Sequence, residues 1–181
     1  DCRGAGVGAR RGNGAGEFAT FAATPGYGVT RVGVRALPEG ARARRYDRPR
    51  TLLLTSPRAI YRLRFSRDPV GDAPVWFDLP EPLAAECLSL VVEETYAPGS
   101  GRPLAVAEVV ALSELDEPGG LERLARDLDD DERADTAARL LTRIGEGAAA
   151  PIRAAFDELD AAGRRRAVRA LTETDAAGSA D

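Results

Sequence analysis

The chain has no Met, no His, no Lys and no Gln, and Asn occurs once, at position 13. Without His there is no Ser-His-Asp or Cys-His nucleophile system and no imidazole metal site. Without Lys there is neither a phosphate-loop ammonium nor a Schiff base. Two cysteines cannot build a thiolate zinc cage. Carboxylate-pair hydrolysis remains open on composition, because 29 residues are acidic, yet no strand end or cleft signal selects a pair. The chain is therefore expected not to be an enzyme. No apolar run approaches a membrane span, and no signal peptide is visible. The absence of Met reads as a processed or excised piece of a longer product.

What is present is arginine: it supplies all 25 basic residues, against a net charge of −4. The plain explanation is a GC-rich bacterial genome; the sharper one is selection for bidentate anion contacts. Charge is unevenly placed. Residues 29–67 hold eleven Arg against Glu39 and Asp47, whereas residues 68–135 hold eighteen acids against four Arg. A basic stripe attracts anions, although Arg alternating along strands also describes the solvated face of a sheet.

Character changes near Asp116. Before it, Gly and Pro separate short runs rich in Val, Leu, Phe and Tyr; after it, Ala, Leu, Arg and Asp dominate. The first pattern predicts a β-sandwich, with strands near 17–22, 29–37, 50–55, 60–65, 75–79, 87–96 and 104–112. Tyr61, Leu63 and Phe65 alternate with Arg62 and Arg64, and Leu88, Leu90 and Val92 share one face. The Gly-rich stretch from Gly4 to Gly16 has no apolar period and reads as a loop. The second part predicts helices. Leu121, Leu124, Ala125 and Leu128 recur 31 residues later as Ile152, Ala155, Phe156 and Leu159. Ala134, Ala137, Ala138 and Leu141 match Arg164, Ala167, Val168 and Leu171, 30 residues on. Asp129 with Glu132 resembles a capping box, Gly145 suits a C-terminal cap and Pro151 a first turn. Two helix-turn-helix units of this length are a short solenoid.

Two stretches carry a family resemblance. Gly12-Asn13-Gly14-Ala15-Gly16-Glu17-Phe18 resembles the entry motif of discoidin-like domains, also called coagulation-factor type C or galactose-binding-like domains. Residues 91–99 (VVEETYAPG) and 106–112 (VAEVVAL) resemble the penultimate and closing strands. Within that superfamily the chain is most similar to the NADase-type glycan-binding subtype, over residues 1–115, with the family's first strand and acidic-Gly loop expected upstream of residue 1. Residues 117–175 resemble two short HEAT-like hairpins, and 176–181 read as a disordered tail.

The resemblance implies a jelly-roll β-sandwich with a C-terminal all-α segment. It implies a non-catalytic module that binds carbohydrate or cell-envelope polymer through end loops, outside the cytoplasm. The helical repeats would serve as an adaptor for another protein. A structural or protein-interaction scaffold without glycan binding is the alternative, and nucleic acid is not an expected partner. The loop candidates are Arg10, Arg11, Asn13, Arg42, Arg44, Arg45 and Tyr46, which offer guanidinium forks and an aromatic face. Trp76 is either core or an exposed platform for a sugar ring. The Gly12–Gly16 run lacks the strand and helix that a dinucleotide loop needs. Glu108, in an apolar strand, needs a partner. Either an Arg or backbone donors supply it, or a Ca²⁺ ion does, as in related sugar-binding modules; no other cofactor is expected. Cys2 and Cys87 are either two buried thiols or, as the fold type implies, a disulfide.

Overall fold

The computed structural model describes residues 14–38, 40 and 42–178, without the side chains of 174–178. The chain divides into two compact units, Asp1–Ser113 and Glu114–Asp181.

The first unit is a sandwich of two antiparallel sheets. Its strands are β1 (Phe18–Ala22), β2 (Val29–Arg35), β3 (Pro49–Thr55), β4 (Ile60–Arg64), β5 (Val75–Leu83), β6 (Cys87–Thr95) and β7 (Glu108–Ser113). One sheet has the order β1-β6-β3-β4 and the other β5-β2-β7. The period-two pattern decides which faces meet. Leu52 and Leu54 of β3, Leu63 of β4, and Leu88, Leu90 and Val92 of β6 bury one sheet's inner face. Val29, Val32 and Val34 of β2 and Leu83 of β5 answer from the other. Phe65 and Phe77 bridge the two layers edge to face, with centroids 5.1 Å apart.

Two strand limits differ from expectation for physical reasons. β5 runs on through Pro80 and Pro82, because it is an edge strand paired with β2 alone. β7 starts at Glu108 and not at Leu104; Leu104 instead makes an isolated parallel bridge with Asp47.

The second unit contains α1 (Gly120–Arg126), α2 (Ala134–Ile144), α3 (Ala149–Ala155) and α4 (Ala161–Gly178). Short 3-10 turns lie at Asp127–Asp129 and Gly145–Ala148. α1 packs on α3 and α2 on α4, so the sequence repeat is a spatial one. Leu124, Leu128, Leu141, Ile152 and Leu159 are buried, together with seven alanines. Gly145 closes α2 at φ 73°, a left-handed value that suits Gly.

The capping box differs from expectation. Asp130, not Asp129, caps the turn into α2: its Oδ1 accepts from the backbone N–H of Glu132 and Arg133. Asp160, 30 residues on, accepts from Gly163 N–H in the same way at α4. Asp129 is thereby free to reach across the repeat, and both its oxygens accept from Asp160 N–H, at 2.9 and 3.1 Å. Gly163 makes room for it, because a Cβ there would fall 1.8 Å from the Asp129 carboxylate. Val168, expected inward, is exposed; Gly163, Ala167 and Ala170 form the buried stripe of α4 instead.

Candidate anion site at one end of the sandwich

The loop between β2 and β3 carries a 3-10 turn, Ala43–Arg45, and it is held from beneath by Arg48. The Arg48 guanidinium donates to the carbonyls of Ala43 and Tyr46 at 2.7 and 2.6 Å. It also donates to both oxygens of Asp68, each at 2.6 Å. This fork binds the β2–β3 loop to the β4–β5 loop in the bidentate geometry that Arg and carboxylate favour. The Asp68 hydrogen bond, then the Asp68 and Asp47 charges, raise the Arg48 pKa, with burial opposing them. Asp47 beside it is buried, and its Oδ1 accepts from the N–H groups of Arg48 and Ala97. Its backbone bonds to Pro103 and Ala105. The loop is therefore anchored on the sandwich end.

What the anchor leaves outside is positive. Arg42, Arg44 and Arg45 are exposed, and among the described residues none makes a side-chain hydrogen bond or ion pair. Tyr46 is half-buried, with its carbonyl committed to Arg48. The loop candidates Arg10, Arg11 and Asn13 lie outside the described residues, as does Cys2. No cysteine among the described residues is free; Cys87 opens β6 half-buried.

A hollow of about 330 Å³ lies beside the anchor, lined by Arg50, Arg64, Phe65, Ser66, Arg67 and Tyr96. Arg50 belongs to β3, Arg64 to β4, and Ser66 and Arg67 to the turn that follows. The three guanidinium groups are exposed and, among the described residues, unpaired. The Tyr96 hydroxyl donates to the Phe65 carbonyl at 3.3 Å. Burial, and then the Asp68 charge, raise its pKa, against the opposing charges of Arg50, Arg64 and Arg48. It stays a neutral donor. Along the sequence, Arg64 alternates with Leu63 and Phe65 and fits the solvated face of a sheet. Phe65 N–H donates to the Arg50 carbonyl, so the neighbouring ends of β3 and β4 both border the hollow.

The other candidates lie elsewhere. Trp76 is on the outer face of its sheet, since Phe77, its neighbour, takes the inward position. The indole lies across Gly33, where a Cβ would come within 2.8 Å of the ring, and the Arg31 guanidinium sits 5.0 Å from its centroid. Arg31 is in turn paired with Asp78 at 2.9 Å. An apolar ring packed on glycine and covered by a cation is a braced surface element. Glu108 is exposed and accepts from Arg35 Nε at 3.0 Å. Among the described residues no group of three or more acidic, His or Cys side chains could hold a metal. The Glu108 carboxylate thus has the Arg35 guanidinium as its partner.

Neither a family model nor a curated protein matches the chain. A solved structure, the NMR structure of the Streptococcus pyogenes NAD+-glycohydrolase translocation domain, matches at 13% identity and a TM-score of 0.41. The match covers 55% of this chain and 89% of that one. At that similarity the site above stands on its own geometry. No helix among the described residues is long and apolar enough to cross a membrane.

Proposed function

We propose that the chain is a non-catalytic recognition module that binds an acidic carbohydrate or cell-envelope polymer through the loops at one end of its sandwich, outside the cytoplasm. The observation that carries the reading is the contrast between anchored and unanchored arginines. Arg48, Arg62, Arg31 and Arg35 each hold a carboxylate. Arg42, Arg44 and Arg45, on a loop fixed by Arg48, hold none among the described residues. Guanidinium groups on a braced loop lose little further freedom on meeting an anion, which favours association. They pair bidentately with carboxylate and phosphate and have nothing comparable to offer a neutral hexose.

A glycan array with salt titration tests this. Acidic glycans should bind weakly and more weakly as salt rises, and Arg44→Ala with Arg45→Ala should reduce the signal. Binding confined to neutral sugars, or indifferent to that double change, would refute the reading. The second reading, a protein-interaction scaffold, is favoured by the groove between α2 and α4. Ala138 and Ala170 line it together with Asp135, Arg139, Arg169 and Glu173. Capture of a partner protein that survives the loop change and is lost on altering Arg139 and Arg169 would support that second reading.

A further inference from the structure

Arg50 of β3, and Arg64 and Arg67 at and just beyond the end of β4, line the hollow beside the loop anchor, and among the described residues none of the three makes an ion pair. Elsewhere on this sheet the chain places carboxylates opposite its arginines: Glu93 takes both donors of Arg62, at 2.6 and 2.8 Å. Asp68 takes both free donors of Arg48. Arg50, Arg64 and Arg67 line the same hollow as the Tyr96 ring and the Ser66 side chain, and they are left without such a partner among the described residues. Like charges so gathered repel one another until an anion joins them.

The number of forks narrows the anion. A carboxylate is planar and is satisfied by one guanidinium, as Glu93 and Asp68 are here. A group that can use three guanidinium forks needs at least three acceptor oxygens arranged about a centre. We infer that the Arg50–Arg64–Arg67 hollow is a specific subsite for a tetrahedral oxyanion, the phosphate or sulfate ester of a polymer that the neighbouring loop holds. The inference deepens the proposed function by naming the charged group, and the hollow could bind that group even if the loop bound no polymer. At about 330 Å³ the hollow is at the small end of ligand pockets, suited to one such group and not to an extended chain.

The test follows the arginine Nε–Hε signals of the whole chain by NMR while inorganic phosphate, inorganic sulfate or acetate is added at constant ionic strength. Phosphate and sulfate should shift the signals of Arg50, Arg64 and Arg67 saturably, and acetate should shift them less. Comparing the two tetrahedral ions shows which ester the subsite prefers. Arg64→Gln with Arg67→Gln should weaken the response by about tenfold or more, as loss of two charge-assisted bonds requires. Arg58→Gln, an exposed arginine outside the hollow, should leave it unchanged and control for net charge. Retained melting temperature shows that the double variant is folded. No saturable shift, an equal response to acetate, or a response untouched by the double variant would overturn the subsite, whatever the glycan array shows. Phosphate binding that persists while Arg44→Ala with Arg45→Ala abolishes polymer capture separates the hollow from the loop. Phosphate binding with no polymer bound at all would keep the subsite and remove the loop reading.

Discussion

Asp47 has one carboxylate oxygen that holds the loop and one, Oδ2, that is buried with no hydrogen-bond partner among the described residues. A buried polar atom left unmatched is a cost, so the other contacts of this residue must outweigh it. Asp47→Ala strands the N–H of Ala97 and should cost about 1–3 kcal/mol in denaturant unfolding. Asp47→Asn keeps an acceptor for both donors and should cost clearly less. Equal losses in the two variants would show that those N–H bonds are not what fixes the loop. Arg48→Ala should likewise cost about 1–3 kcal/mol, since it releases Asp68 and the carbonyls of Ala43 and Tyr46 together. None of this is visible in the sequence. Arg42, Arg44, Arg45 and Arg48 share one short basic stretch, and only the fold assigns the last of them to the anchor.

At the scale of elements, the helical repeat shows how a short solenoid joins its units with polar contacts. Asp129 accepts from the backbone of Asp160, and Asp160 caps α4 through Gly163. The N–H of Gly163, ahead of the other contacts, holds the Asp160 carboxyl below its usual pKa. A carboxyl whose folded pKa is depressed contributes stability that is present above its unfolded pKa and lost as pH falls through the folded one. The melting temperature of the helical unit should therefore fall as pH drops below about 4, and Asp160→Asn should flatten that dependence. An unchanged slope in the variant would remove Asp160 from the account. Gly163→Ala should cost about 1–3 kcal/mol, because the new methyl must displace the Asp129 carboxylate. The repeat itself was legible in the spacing of Leu and Ala. The inward stripe of α4 was not, because Val168 matches the apolar pattern yet is exposed, while Ala167 is buried and Gly163 lies against Asp129.

The whole molecule carries two units whose interiors differ in kind. The sandwich buries Leu, Val and Phe from both sheets. The helical unit buries many alanines, including Ala125, Ala134, Ala137, Ala167 and Ala170, each removing little apolar area from water. Calorimetry should accordingly resolve a weaker, broader transition for the helical unit below that of the sandwich. A bridge from Cys87 to Cys2 is the pairing that the chain's two cysteines allow. If it forms, reductant should lower the sandwich transition and leave the helical one in place. One sharp transition for the entire chain would overturn the separation, and a sandwich transition indifferent to reductant would exclude a stabilising bridge.

The sequence by itself determined the sandwich, the helical segment after it and the order of the strands, with the limits of β5 and β7 set by pairing. Alternation and helical spacing are local, and burial of one face follows from them wherever a core exists. It also named Arg42, Arg44 and Arg45 as candidates, for the guanidinium forks they offer. Tertiary structure alone decided the rest. Arg50 and Arg64 of neighbouring strands border one hollow, the Arg48–Asp68 fork fixed the loop beside it, and Arg35 claimed Glu108. Each of those pairings joins residues that are distant along the chain or lie on different strands. Charge and periodicity along a sequence say which groups exist, and the pairing of strands says which of them meet.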